Sequence, residues 1–163
     1  MADKILTLTW EAIQNRSQKV GVGAFLTASD TTAVTTAYTR LEGTFSNVEL
    51  EWFELDVPSG KVKYNPTDGL ARTMLLNYSG YLSCPNFNDI ATIGIEVTRD
   101  EVAAIVTGTE TAIICLQSNS PYSFGRVYPL PLESGDLIEI QIKGDASFTV
   151  TMNEFATTLI KFY

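Results

Sequence analysis

The sequence predicts an all-β, antiparallel sandwich of about ten strands. Apolar and polar residues alternate with a period of two along most of the chain, which is typical of strands that face a core on one side. Turn-forming pairs such as Ser134-Gly135 separate these stretches. The predicted strands between residues 136 and 163 lie too close together for parallel crossovers, which need about a dozen or more residues each. Antiparallel connections are therefore expected.

The alternation is clearest towards the end of the chain. Residues 136–143 form a strand in which inward isoleucines alternate with polar residues. Two further strands are predicted over residues 147–152 and 157–163. Before them, the prolines of residues 127–133 limit that extended segment to a sheet edge. Residues 117–125 are predicted as a polar loop that contains two aromatic residues.

Further strands are predicted in the first two thirds of the chain, over residues 21–26, 33–40, 48–55, 61–64, 70–84, 90–97 and 111–116. The stretch 70–84 is expected to be a long, buried central strand in which Gly80 marks a bulge or a close backbone approach. Residues 99–106 form either a hairpin arm or a short helix, and the hairpin fits the neighbouring strands better. A helical turn is predicted at residues 9–16.

Length and composition exclude several classes of function. The 163 residues suit one domain with a packed core. Eleven basic against nineteen acidic residues give a net charge of −8, which argues against nucleic-acid and anionic-membrane partners. Histidine is absent, so this chain has no Ser-His-Asp catalysis, histidine metal site or histidine pH switch. The chain is therefore expected either to use carboxylate groups for catalysis or to have no catalytic activity.

The first residues and the two cysteines bear on the compartment. The N-terminal residues show no secretory signal pattern, and no stretch is long and apolar enough to span a membrane, so synthesis and folding in a cytoplasm are expected. Cys84 and Cys115 lie in apolar, strand-like surroundings. Buried free thiols are the favoured interpretation, and a bridge between the two remains open.

Several motifs recur in a known order along residues 41–163. Leu41-Glu-Gly-Thr-Phe45, Trp52-Phe53 and Gly60-Lys-Val-Lys-Tyr64 precede the long central strand, and a stretch around Gly135-Asp136 precedes the terminal strand Thr157-Thr-Leu-Ile-Lys-Phe-Tyr163. In this order the chain resembles the jelly-roll domains related to tumour necrosis factor and the complement globular head, particularly those of phage and viral structural proteins. Gly135-Asp136 itself is explained by a turn.

The resemblance implies a jelly-roll β-sandwich over residues 31–163, preceded by an N-terminal arm or extra strands over residues 1–30. In the resembled family the terminal strand lies near a three-fold axis. It therefore implies a homotrimer in which Phe162 and Tyr163 are candidate subunit contacts.

Candidate site residues are few. Asp89, Glu96, Asp100 and Glu101 are the carboxylates considered for acid/base or calcium chemistry, and their spacing favours a solvated surface. We accordingly predict no catalytic, cofactor-binding or metal-binding residue. Among the aromatic residues, Tyr122 and Phe124 are expected to be exposed among polar neighbours. With Tyr128, they are candidate ligand or partner contacts.

With no catalytic site predicted, the resemblance implies a non-enzymatic virion structural protein, specifically a phage capsid decoration or cement protein that binds capsid or other virion proteins and stabilises the shell. Its location would be the virion. The alternative is a carbohydrate-binding receptor module of a tail fibre or spike, with a glycan as partner. A small glycoside-processing enzyme is a third hypothesis and lacks a convincing carboxylate pair.

Overall fold

The computed structural model describes residues 20–26, 29–48, 52–56 and 61–161. Within these ranges the chain forms thirteen strands and no helix. The described residues therefore contain no helix that could cross a bilayer. The strands are β1 Val20–Leu26, β2 Asp30–Val34, β3 Thr39–Arg40, β4 Phe45–Val48, β5 Phe53–Asp56, β6 Lys61–Tyr64, β7 Arg72–Ser83, β8 Ile90–Arg99, β9 Val102–Ile105, β10 Thr111–Ile114, β11 Tyr122–Leu132, β12 Leu137–Gly144 and β13 Phe148–Lys161.

The strands form two antiparallel sheets. Sheet I has the order β11-β7-β13-β1-β4, with β2 paired to the first part of β13. Sheet II has the order β10-β8-β12-β6-β5, with β3 on β12 and β9 on β8. From β7 onwards the chain crosses repeatedly between the sheets, since β7, β11 and β13 lie in sheet I while β8 and β12 lie in sheet II. This arrangement confirms the predicted antiparallel jelly-roll sandwich.

The core lies between the two sheets. Alternate residues of β7, including Met74, Leu76 and Tyr78, face alternate residues of sheet II such as Ile93 and Ile95, and all are fully buried. The predicted inward isoleucines of β12 are buried as well. The period-two pattern therefore assigned the core faces of these strands correctly.

The connection after β8 is a tight hairpin. Asp100 and Glu101 both have positive φ, 50° and 66°, and join Arg99 of β8 to Val102 of β9. Two successive residues in the left-handed region are typical of a type I′ turn, whose twist matches that of the flanking strands. The hairpin interpretation of residues 99–106 is thus confirmed, and the helical alternative is wrong.

The predicted strand over residues 48–55 is divided between the sheets. Phe45–Val48 lies in sheet I beside β1, whereas Phe53–Asp56 lies in sheet II beside β6. Trp52 has a φ of 73°, which interrupts the extended backbone before Phe53. Residues 49–51 lie outside the described residues. In the sequence, the apolar residues Trp52 and Phe53 are adjacent, so the period-two alternation changes phase there, which agrees with this break.

The last two predicted strands form one strand, β13. The polar residues Asn153 and Glu154 interrupt the alternation but stay in the sheet as a bulge, because the register with β7 shifts between Met152 and Glu154. Gly80 pairs with Phe155, directly after this bulge, and a Cβ at Gly80 would collide with the carbonyl oxygen of Glu154. The predicted close approach at Gly80 is therefore confirmed.

The predicted loop over residues 117–125 is too long by four residues. β11 begins at Tyr122, and its first half pairs with the last part of β7 as far as Leu82. The prediction failed because this pairing partner is not visible in the local sequence. The edge position expected from the prolines is confirmed, since β11 pairs with β7 alone among the described strands.

The two cysteines form a disulfide bond, so the favoured interpretation of free thiols is wrong. Cys84 directly follows β7 of sheet I and Cys115 directly follows β10 of sheet II, and their Cα atoms are 6.0 Å apart. Both residues are buried. The bond therefore links the two sheets at one end of the sandwich.

Two predictions fall wholly or largely on the start of the chain. The helical turn at residues 9–16 lies outside the described residues. Of the predicted arm or extra strands over residues 1–30, the structure describes β1 and the start of β2. The domain boundary at residue 30 stays a prediction.

Candidate assembly surface

Sheet I presents an outward face without charge across its centre. Since Met74, Leu76 and Tyr78 point into the core, the residues between and after them point outward, and the same argument applies to β11 and β13. We call this surface the assembly face and define it by eight outward residues of three adjacent strands: Leu75, Asn77, Ser79, Gly125, Val127, Pro129, Ala156 and Thr158.

The register places these residues in continuous rows. Val127 of β11 lies opposite Asn77 of β7, which in turn lies opposite Thr158 of β13. The next row joins Gly125, Ser79 and Ala156 in the same way. Val127 is 58 % exposed although it is a large apolar residue. An uncharged sheet surface of this kind matches the central part of protein interfaces, which is depleted of charged residues.

Sheet II presents a charged outward face whose charges contact one another. The Nζ atom of Lys61 lies 3.1 Å from a carboxylate oxygen of Glu139. The Nζ atom of Lys143 lies 4.3 Å from the ring centroid of Tyr38, whose hydroxyl donates to Glu110 over 2.5 Å. Burial and the hydrogen bond to Glu110 raise the pKa of Tyr38 above its usual value. The charged groups of this face are thus partly buried and paired with one another, since Glu139 is only 7 % exposed.

Two glutamates lie directly opposite each other in sheet II. Glu96 of β8 and Glu139 of β12 are cross-strand partners, and the amide of Gln141 donates to Glu96 over 3.1 Å. Partial burial, followed by the negative charge of Glu139, raises the pKa of Glu96. Sequence reasoning missed this pair, because it depends on the register between strands far apart in the chain.

The carboxylates considered from the sequence do not converge. Asp100 and Glu101 are exposed in the hairpin turn, and Glu96 lies in the middle of sheet II. Asp89 accepts hydrogen bonds from the backbone and side chain of Asn86 within its own loop. No group of three or more potential metal ligands occurs within the described residues. Glu96 proved half-buried rather than solvated.

Asp136 has a structural role, as the turn interpretation of Gly135-Asp136 predicts. It is 1 % exposed, accepts hydrogen bonds from Nε and Nη2 of Arg99 and from the backbone N–H of Glu133, and follows Gly135, whose φ is 99°. Arg99 also binds the Glu133 carboxylate. Asp136 therefore fixes the turn before β12 against the end of β8.

The predicted aromatic contact residues have different environments. Phe124 is only 8 % exposed and packs between Tyr78 and Phe155, so its expected exposure is wrong. It points inward because it lies opposite Gly80, whose missing side chain leaves room for the ring. Tyr122 and Tyr128 are half-buried against the core, and the Tyr128 hydroxyl donates to the carbonyl of Thr107 over 2.9 Å.

Phe162 and Tyr163, the candidate subunit contacts, lie outside the described residues. Their role stays a prediction. The described part of the same strand, β13, lies in the centre of sheet I and contributes Ala156 and Thr158 to the assembly face. The structure thus offers an uncharged surface on the strand that was expected to lie at subunit contacts.

The sequence and the fold give different results in comparisons with known proteins. No protein-family model and no curated protein sequence matches the chain. Among solved structures, Eiger TNF from S. frugiperda superposes with a TM-score of 0.63 at 13 % identity, covering 88 % of this chain and 93 % of that one. Murine APRIL, at pH 5.0, superposes with a TM-score of 0.56 at 13 % identity, covering 87 % and 99 %.

The fold is a TNF-like jelly roll. The resemblance seen in the sequence motifs is therefore confirmed at the level of fold. The similarity extends over nearly the whole of both superposed chains, so the TNF-like jelly roll accounts for both sheets. Fold alone does not define function, which must be argued from surfaces and sites.

Proposed function

We propose that this chain is a non-enzymatic virion structural protein that forms a homotrimer through the assembly face and acts as a capsid decoration protein. The observation that carries the proposal is the contrast between the assembly face and the outward face of sheet II. A monomer gains solubility from surface charge. An uncharged central surface on a chain with a net charge of −8 is better explained by contact with another protein surface.

The mechanism requires complementary surfaces and no catalysis. The rigid strands of sheet I would bury Val127 and its neighbours against a second copy, while the polar Asn77, Ser79 and Thr158 supply hydrogen bonds within the interface. A trimer that binds only the assembled shell stabilises that shell by mass action.

The disulfide supports a location outside the reducing cytoplasm. Disulfides persist in oxidising surroundings, among which are the surfaces of virions and cells. The bond between Cys84 and Cys115 ties sheet I to sheet II in each subunit. Such a link suits a protein that must remain folded on a released particle. The virion setting itself rests on the resemblance described under Sequence analysis.

The absence of catalysis is part of the proposal, and the observed carboxylates support it. Glu139 is buried and bound to Lys61, while Glu96 accepts a hydrogen bond from Gln141. These contacts occupy the two opposed glutamates with neighbours from the same sheet. We accordingly assign these glutamates to contacts within sheet II rather than to a substrate.

Binding to shells tests the decoration function. Shells assembled from the major capsid protein of the genome that encodes this chain are mixed with the purified protein and separated on a density gradient. We expect saturable co-sedimentation in multiples of three copies and a higher temperature of shell disruption. Free protein that stays at the top of the gradient at every concentration would contradict the decoration function.

A further inference from the structure

A cavity of about 350 Å³ lies beyond one end of the assembly face, near the disulfide. It is lined by residues from three parts of one chain: Tyr81, Asn119, Pro121, Asn153 and Glu154. None of these residues was singled out from the sequence. The volume lies near the lower end of the range of about 300–1,000 Å³ for small-molecule sites.

Tyr81 supplies an exposed aromatic ring. Tyr81 belongs to β7. Tyr78 and Leu82 of this strand point into the core, so Tyr81 points outward, and it is 45 % exposed. Its cross-strand partners are Ser123 on β11 and Glu154 on β13. The ring is therefore held on a rigid, central strand rather than on a loop.

The bulge in β13 supplies two polar side chains. A bulge places two residues of one strand against one residue of its partner and redirects their side chains. Here Asn153 and Glu154 occupy the irregular position and both line the cavity. The Nδ2 atom of Asn153 lies 3.5 Å from the hydroxyl of Ser83. Gly80 permits this geometry, because a side chain there would collide with the backbone of Glu154.

The loop that carries Asn119 and Pro121 is anchored to the end of β7. The backbone N–H of Asn119 donates to the carbonyl of Cys84 over 2.8 Å, and Cys115, at the start of the loop, is bonded to Cys84. Asn119 has a φ of 56°, and its side chain is exposed. These contacts fix the backbone of Asn119 at the wall of the cavity before any ligand binds.

We propose that this cavity is a binding site for a neutral carbohydrate. An exposed tyrosine ring provides an apolar surface for the C–H face of a pyranose. Two carboxamides provide donors and acceptors, and the carboxylate of Glu154 provides two further acceptors, which together suit the neighbouring hydroxyl groups of a sugar. Glu154 and the net charge of −8 disfavour acidic sugars. All lining residues come from one chain, so the site does not depend on self-association.

The site is tested with the methyl glycosides of glucose, galactose, mannose and N-acetylglucosamine, each titrated at millimolar concentrations into the ¹⁵N-labelled full chain. We expect at least one of them to shift the amide signals of Tyr81, Asn119 and Glu154 in a saturable way. Sialic acid and tetramethylammonium are titrated alongside. No shift at these residues with any of the four neutral sugars would overturn the proposal, as would tighter binding of tetramethylammonium at the same residues.

Variants separate stacking from general loss of structure. Tyr81→Ala is expected to weaken sugar binding by about tenfold, whereas Tyr81→Phe retains the ring and most of the affinity. Phe87→Ala is the matched control, because Phe87 is an aromatic residue with 64 % exposure on the neighbouring loop but does not line the cavity. Equal losses in Tyr81→Ala and Phe87→Ala would contradict the assignment. Repeating the titration with Val127→Glu, which is designed to be monomeric, distinguishes failure of this site from failure of self-association.

Discussion

The two outward faces of the sandwich are built from the same alternating strands but carry different chemistry. On sheet II, Lys61 binds Glu139, and Glu96 lies directly opposite Glu139 with the same charge. On sheet I, the equivalent central positions carry only uncharged residues, with Val127 largely exposed. Alternation indicates which residues point away from the core, and charge content distinguishes a face that meets water from a face that meets protein.

The largest expected effect is the loss of self-association when a charge enters the assembly face. Val127→Glu would bury an unpaired carboxylate at each subunit contact, at a cost of about 3–5 kcal/mol. We expect this variant to be a folded monomer by sedimentation velocity. Val102→Glu is the matched control, because Val102 is also a strand valine, 68 % exposed, but lies on β9 in sheet II. A trimer that tolerates Val127→Glu as well as Val102→Glu would place its contacts elsewhere.

A smaller but still large effect is expected at the buried carboxylate of Asp136, in the turn that precedes β12. Asp136→Asn weakens the contact to Arg99 and is expected to lower the free energy of unfolding by about 2–3 kcal/mol in urea denaturation. Glu110→Gln serves as the comparison. The Glu110–Lys143 pair is 3.9 Å long and partly exposed, so its loss costs about 1 kcal/mol or less, and the glutamine carbonyl oxygen still accepts the hydrogen bond from the Tyr38 hydroxyl. Similar urea midpoints for Asp136→Asn and Glu110→Gln would show that the burial of Asp136 contributes little to the free energy of unfolding.

Two glycines of sheet I allow the effect of an added side chain to be compared between its inward and outward sides. Gly80→Ala places a methyl group against the backbone of the bulge and the ring of Phe124, with an expected cost of about 1–3 kcal/mol. Gly125→Ala meets only ordinary contacts of 3.4 Å or more on the outward side. Because Gly125 belongs to the assembly face, both variants are made in the Val127→Glu background, and their thermal unfolding measures the difference. A midpoint for Gly80→Ala equal to that of Gly125→Ala would contradict the observed bulge geometry.

The smallest expected effect is a stabilisation with a defined pH dependence. The pKa of Glu96 is raised in the folded state by burial and by Glu139, so the fold favours the protonated form and loses stability as the pH rises from the unfolded pKa through the folded one. Glu96→Gln removes one of two like charges that lie directly opposite, which is expected to add about 0.2–1 kcal/mol at pH 7.

The same substitution is checked by unfolding at a series of pH values. Below the unfolded pKa of Glu96 the advantage of Glu96→Gln should vanish, because the glutamate is then protonated in both states. Thr98→Ser, at the neighbouring outward position of β8, is a control without a change in charge. An advantage of Glu96→Gln that persists unchanged at acid pH would have another cause.

Much of the fold could be predicted because it depends on local alternation. The core residues of β7, β8 and β12 follow from period-two patterns, and Gly80 was predicted as a close approach because a glycine inside a strand needs such a reason. The hairpin after Arg99 also follows from its short polar turn and flanking strands.

The features that sequence reasoning missed all depend on pairing between distant strands. Phe124 was expected to be exposed in a loop. Its inward position depends on Gly80 of β7, which lies opposite it and is far away in the sequence. Glu96 and Glu139 become a pair only through the register of β8 and β12. The cysteines form a disulfide because the ends of β7 and β10 meet across the sandwich, which spacing along the chain does not reveal. The residues that line the proposed carbohydrate site likewise come from a strand, a bulge and a loop.

The central claim is that the uncharged face of sheet I binds further copies of this chain. Sedimentation velocity of the wild-type protein at micromolar concentration tests it most directly. The account predicts one species with three times the chain mass of 17.9 kDa. A single species of 17.9 kDa across the whole concentration range would contradict it.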